Sequence, residues 1–144
     1  MVQVLQNNQG IKEEEYVNLK NIMESIKAIR LRNLPDGSCV FDVGYLEDGK
    51  QIPVTSFFGK STVKSPFYDL HPAPRRQYVV TLKGKLKFTV TDGSSFILEP
   101  GIVLLAEDVD GPGHSWELLE GNTWERLYLV AQSDIDNYFI TETV

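Results

Sequence analysis

"YVVTLKGKLKFTVTDGSSFILEPGIVLLA", residues 78–106, is the stretch whose reading decides the fold. Its first part is rich in β-branched and aromatic residues. From Lys85 it alternates, with Lys85, Lys87 and Thr89 on one side against Leu86, Phe88 and Val90 on the other. Successive side chains of an extended chain point to opposite faces, so the pattern predicts strands that are apolar on one face and wet on the other. Asp92-Gly93 tolerates positive φ and reads as a hairpin turn, after which "SFIL" (95–98) returns toward a second turn at Pro100-Gly101. The following "IVLLA" is apolar at every position, as in a strand covered on both faces.

Toward the C-terminus, "DGPG" (110–113) is a cluster of breakers and must be loop, and "HSWELL" and "TWERLYLV" read as two more strands parted by Glu120-Gly121-Asn122. Five or six short strands with tight turns have the spacing of a sandwich or barrel. Toward the N-terminus, residues 34–59 read as two strands separated by a loop around Asp48-Gly49, with Pro35-Asp36-Gly37 as a turn, and "GKSTVKSP" (59–66) is a polar connector. "YVNLKNIMESIKAIRL" (16–31) spaces Leu19, Ile22, Met23, Ile26 and Ile29 near a helical period, while "IKAIRLRN" also suits a strand. A short helix of about two to three turns is the preferred reading. The acidic triplet Glu13–Glu15 fits a solvated helix start. The expected organisation is an N-terminal helical or extended appendage (1–34), a β-barrel (35–132) and a C-terminal tail (133–144).

Composition excludes several function classes. The 144 residues suit one domain able to bury a core without staples, and a net charge of −6 opposes binding to polyphosphate backbones. Nucleic acid is therefore not an expected partner. A membrane is not expected either, because no run approaches the roughly 18 apolar residues of a span. One cysteine, Cys39, cannot make an internal disulfide, and "MVQVLQNNQGIKEEE" lacks the basic flank and apolar run of a secretory signal, so a cytoplasmic, reduced protein is expected. Cys39 falls beside a turn and away from either histidine in the expected fold, which does not indicate a thiol nucleophile. There is no P-loop, no dinucleotide-binding glycine fingerprint and no nucleophile-elbow serine, so no nucleotide cofactor is expected.

"LHPAPRRQ" (70–77) concentrates one of the two histidines, two prolines and two arginines at the start of the 78–90 strand run. Strand parity puts His71, Ala73, Arg75 and Gln77 on one side, continuing to Val79 and Thr81. Proline lacks an N–H, so the segment belongs at a barrel rim. Taken alone, the histidine reads as a hydrogen-bonded rim residue and the arginines as surface cations. The aromatics Phe57, Phe58, Phe67 and Tyr68, around the connector, suit a closed barrel end or a homodimer seam.

Residues 71–116 resemble a small single-domain cupin. The cupin signature has two histidines one residue apart, an acid or amide four residues later and a glycine seven beyond that, then a Pro-Gly-led strand and a third histidine. His71 falls on the first of these, Gln77 and Gly84 on the acid and glycine, Pro100-Gly101 on the strand start and His114 on the last histidine. Both histidines of the chain land on ligand positions. "HPAPRRQ" and "LLAED" also resemble a group of bacterial and cyanobacterial cupin-domain proteins, a likeness that carries no reaction with it. The resemblance implies a mainly β, double-stranded β-helix (jelly-roll) barrel around a ligand cavity.

It also implies a metal site, with departures. Ala73 stands at the second histidine position and cannot bind metal, and Gln77 replaces the usual glutamate. His71, Gln77 and His114 would offer two imidazoles and a neutral amide to one divalent ion of Fe, Mn, Ni, Cu or Zn, a weak set. Asp108 restores a carboxylate if the "EDVDGPG" loop turns inward, although loop acids such as Glu107 and Asp108 are more often solvated. Parity sends Arg75 into the pocket and Arg76 away, with Glu107 or Asp108 pairing Arg75 when no ligand is bound. Trp116, Val79 and Thr81 would complete the wall.

A structural or partner-binding role would use a surface outside the barrel, for example Phe57, Phe58, Phe67 and Tyr68, and two pocket functions of different class also follow. One is a metal-dependent oxygenase, isomerase or lyase, with His71 and His114 catalytic and Arg75, Gln77, Val79, Thr81, Asp108 and Trp116 holding a small carboxylate-bearing substrate. The other is a non-catalytic pocket for an anionic metabolite or natural-product intermediate, which the missing histidine and glutamate favour.

Overall fold

The computed structural model describes residues 12–63 and 68–142. A helix, α1 (Glu13–Glu24), precedes nine strands: β1 (Lys27–Asn33), β2 (Cys39–Leu46), β3 (Val54–Val63), β4 (Tyr68–His71), β5 (Gln77–Thr89), β6 (Ser95–Leu98), β7 (Ile102–Ala106), β8 (His114–Ala131) and β9 (Phe139–Thr141). They form one mixed sheet in the order β3-β8-β5-β7-β1-β2-β9, with β4 added to β8 and β6 to β5. The chain is mainly β and folds as a jelly-roll barrel. Every pairing is antiparallel except β1 with β7.

Both readings of residues 16–33 are realised in succession. The helix ends at Glu24 and "KAIRLRN" is a strand. Leu19 and Met23 on the helix are exposed, whereas Ile29 is buried in β1, so the helical spacing ran across two elements. β1, assigned by sequence to the appendage, pairs with β2 over seven residues and with β7 over five, and so lies inside the barrel sheet. Its outer face is tied by Asp42, directly opposite Arg30, which accepts from Arg30 Nη2 at 2.8 Å and Arg32 Nε at 2.7 Å. The tail likewise contributes a strand, since β9 pairs with β2.

The strands expected to be short are long. "YVVTLKG" and "KLKFTVT" are one strand of 13 residues, and "HSWELL" and "TWERLYLV" are one of 18. The register between β5 and β8 shifts around Lys83 and Lys85, next to Gly84 with φ +114°, so the predicted breaks are bulges that bend two continuous strands. Bent strands of this kind let one ladder serve both walls of a barrel.

Alternation then sorts the core. Leu86, Phe88, Leu98, Leu104, Trp116 and Trp124 meet inside with Ile29 and Leu31 from β1. Tyr78 and Leu105, of opposite parity, pack outside the sheet with Ala28 and Phe139. This second layer explains why "IVLLA" is apolar on both faces. Burial raises the Tyr78 hydroxyl to about 12, and it donates to Asn137 O at 3.0 Å. Phe67 lies outside the described residues, and Tyr68 is described only in its backbone.

Candidate functional site

The bond that builds the site is between strand ends. β4 pairs antiparallel with β8 so that His71 lies opposite His114, which brings residues 43 positions apart in sequence to ring centroids 4.9 Å from each other. Close approach depends on Gly113, at φ +74°: a Cβ there would sit 1.9 Å from the carbonyl oxygen of His71. A second clamp holds the loop, as Asn33 Nδ2 donates to Asp110 O at 2.9 Å and Asn33 Oδ1 accepts from Asp110 N at 3.0 Å.

Each imidazole has a defined Nδ1 partner. His71 Nδ1 lies 2.9 Å from Asp69 O and His114 Nδ1 lies 2.6 Å from Asp108 Oδ2. Carbonyl and carboxylate oxygens only accept, so both Nδ1 atoms carry the proton and, in the neutral rings, Nε2 carries the lone pair. The loop does turn inward: Asp108 is 0% exposed, not a solvated loop acid. It stands behind His114 and is not among the cavity-lining residues, and its Oδ1 has no hydrogen-bond partner among the described residues. Cys39 also belongs here, contrary to its expected separation from the histidines, because β2 begins beside the same loop and places Sγ 3.5 Å from Asp108 Oδ2. Burial, then the Asp108 charge, push this thiol well above its ordinary range.

Cys39, Asp108 and His114 offer three donor atoms within 4.8 Å of one another, a set compatible with a metal ion. Its use would require the thiolate, the form that burial and Asp108 disfavour, so the protonated set is held as a hydrogen-bond chain from thiol and imidazole onto one carboxylate. In the set of His71, Gln77 and His114 that the resemblance implies, Ala73 is buried at the second histidine position, but Gln77 Oε1 is buried without a partner among the described residues, beside the same cavity. Two imidazole nitrogens and an orphaned amide oxygen fit a divalent ion of modest affinity.

The cavity these groups enclose has a volume of about 380 Å³. His71, Gln77, Val79, His114 and Trp116 are among its lining residues. Thr81 does not; it is turned behind Trp124, whose Nε1 donates to Thr81 Oγ1 at 3.2 Å. Arg75 reaches only the mouth, where it is exposed with its guanidinium carbon 5.9 Å from the Phe58 ring centroid. The prolines break the extended run, since residues 72–76 are not strand, and parity cannot be carried across them. Arg76 is the half-buried one, bonded to Glu107 and donating to Ile135 O at 2.9 Å, so the acid expected to neutralise Arg75 is taken by its neighbour.

Further lining residues that sequence reasoning did not assign to the cavity lie on β8 and β3. Trp124, Arg126 and Tyr128 line the cavity from one strand, and Phe58 and Lys60 from another. The signal was present in "TWERLYLV", where alternation places an arginine between two aromatics on one face. Among the described residues no aspartate or glutamate lines the cavity, although the chain is acidic, while Lys60, Arg75 and Arg126 do. Phe88 stacks on the His114 ring at 5.5 Å and Trp116 meets Trp124 edge-on at 4.8 Å, so the wall is aromatic as well as cationic.

No family model and no curated protein matches the chain. Among solved structures, a cupin 2 conserved barrel domain protein from Leptotrichia buccalis aligns at 22% identity and TM-score 0.39 over 60% of this chain. The match spans 43% of that protein, so less than half of it is represented here. A protein of Neisseria meningitidis aligns at 12% identity and TM-score 0.38, over 60% of this chain and 88% of its own. A Salmonella typhimurium protein described as ethanolamine utilization protein Q aligns at 15% and 0.31, over 76% and 98%. No helix among the described residues is long and apolar enough to cross a membrane.

Proposed function

We propose that the protein is a cupin-type small-molecule protein in which His71 and His114, with Gln77, hold one divalent metal ion beside an anionic ligand. The observation that carries this reading is that both rings border one cavity with their Nδ1–H fixed on oxygen acceptors, the arrangement that presents Nε2 to an ion and raises its basicity. Asp108 acts through His114, holding its tautomer and orientation. A bound Fe, Mn, Ni, Cu or Zn would supply Lewis acidity toward a substrate oxygen. The chain's own part is to orient the substrate and keep water out with Trp116, Val79 and Phe88, which suits oxygenase, isomerase or lyase chemistry on a small acid. An anionic guest is supported by Lys60, Arg75 and Arg126 in the lining and by the absence of a lining acid among the described residues.

Metal content of tag-free protein, reconstituted with each of these ions, tests the reading. The expected result is close to one equivalent for at least one metal, lost in His71→Ala and in His114→Ala. Less than about a tenth of an equivalent for every metal would reject it. A second reading, an anion-binding pocket without turnover, is favoured by Ala73 at the vacant histidine position, and it predicts retention of an unchanged ligand by metal-free protein. For assembly we propose a homodimer through β3, an edge strand exposed along nearly its whole length with Phe57 64% exposed. Light scattering that returns the monomer mass would remove that part.

A further inference from the structure

We propose that Arg126 is the anion-binding group of the cavity and that the ligand it selects is a small aromatic carboxylate. This rests on reading the cavity as a ligand site. Arg126 is 4% exposed and lines the cavity from β8. A buried guanidinium is stable only when its charge and its five N–H donors are met, and here only part of that demand is satisfied. Nε donates to the Tyr128 hydroxyl at 3.1 Å, and Nη1 donates to Thr62 Oγ1 at 2.7 Å and to Trp124 O at 3.0 Å. All three acceptors are neutral. No carboxylate among the described residues forms an ion pair with it, and Nη2 donates to none of them.

The partners that are present fix the group. The guanidinium carbon stands 3.9 Å from the Trp124 ring centroid and 5.4 Å from that of Tyr128, and the hydrogen bonds hold the plane from two edges. Cation–π contact is attractive but leaves the formal charge in place. A rigid, largely buried fork with N–H donors left unused by the described residues is what a carboxylate binds. Arg75 and Lys60 are exposed, which suits them to attracting an anion and not to fixing it.

The rest of the ligand follows from the wall and the volume. Phe88, Trp116, Trp124 and Tyr128 present aromatic surface, and about 380 Å³ lies at the small end of ligand sites. That room suits one ring bearing an acid group, with the ring against the tryptophans. A nucleotide or a polyphosphate would be too large and would leave this surface unused.

The test uses the full chain with benzoate and trans-cinnamate as probes, benzamide as the neutral isostere of benzoate, and inorganic phosphate as an anion without a ring. The two tryptophans of the chain both line the cavity, so their emission reports occupancy. Titrations are run with chelator and again with one equivalent of zinc. The expected result is saturable quenching by benzoate or cinnamate, with benzamide at least about tenfold weaker. In Arg126→Met, benzoate should weaken by at least about tenfold with benzamide unchanged, whereas Arg75→Met should change benzoate by less than about threefold. Equal binding of benzamide, unchanged benzoate binding in Arg126→Met, phosphate matching benzoate, or no quenching by either acid under both metal conditions would overturn the inference. If Arg126→Met does not fold, the guanidinium nitrogen resonances of Arg126 in the unaltered chain decide, since benzoate must shift them. Metal uptake by Arg126→Met separates the two proposals: intact uptake with lost quenching implicates Arg126 alone, and failed uptake in the unaltered chain with intact quenching removes only the metal.

Discussion

Replacing Gly113 by alanine should pull the two imidazoles apart and destabilise the barrel. The ideal Cβ at 113 lies 1.9 Å from the carbonyl oxygen of His71, 2.2 Å from its carbon and 2.4 Å from Pro72 N, all backbone atoms that cannot rotate away. Backbone movement of at least about 1 Å is needed to reach ordinary contact, and overpacking on that scale costs about 1–3 kcal/mol. The φ of +74° adds about 1–2 kcal/mol for any L side chain. The sum is about 2–5 kcal/mol, or a fall in Tm of roughly 6–15 °C for a chain of this size. Gly49 provides the control, because it has the same φ of +74° and nothing within 4 Å of its ideal Cβ. Gly49→Ala should therefore cost only about 1–2 kcal/mol, and it should leave metal uptake unchanged while Gly113→Ala weakens it. Urea denaturation of the two variants side by side checks this. Equal losses in both, or a Gly113→Ala protein within about 0.5 kcal/mol of the unaltered chain, would refute the close approach of β4 and β8.

Other expectations are simpler. Burial raises the Asp42 carboxyl, but the hydrogen bonds and charges of Arg32 and Arg30 outweigh it and hold the group below its ordinary range. Its contribution is thus present above the unfolded value of about 3.9 and is lost as pH falls through the lower folded value. Asp42→Asn should cost about 1–2 kcal/mol at pH 7 in urea denaturation, with the gap to the unaltered chain closing below about pH 4; a gap that widens on acidification would contradict the ion-pair account. Cys39 is 0% exposed with its thiol pushed up, so a thiol reagent should find no reactive group at pH 8 until denaturant is added. Reaction in the native state at the rate of a free thiol would be incompatible with that burial. Asp108→Asn should weaken metal affinity by about 10–100-fold through misorientation of His114, and an unchanged affinity in a competition assay would show that the carboxylate does not position the ring.

The alternation in "KLKFTVTDGSSFIL" carries β5, the turn and β6 directly, because each strand there has one buried and one solvated face. The same turn chemistry recurs in "PDGS" and "TDGS", where Asp36 and Asp92 each accept from the amide and hydroxyl of a serine two residues on. Strand lengths were not legible, since Gly84 and Gly121 have the composition of turns while the long strands pass through them with positive φ. His71, Gln77 and His114 border one cavity with Arg75, which is exposed at the rim where two prolines take the chain out of the strand. Asp108 and Cys39 meet only through tertiary structure, which no local pattern records. Arg126 was legible in principle, as a cation inside an aromatic strand face, and its exposure pattern is what separates it from a surface residue.

The most direct measurement is a titration of the full chain, its histidines labelled with nitrogen-15, with cobalt(II), following both imidazoles by NMR. Co-ligation by His71 and His114 predicts that both sets of ring signals move together and saturate at one ion per chain, and that His114→Ala abolishes the shift of His71. Ring signals that ignore the ion, or that respond one at a time at different concentrations, would contradict it.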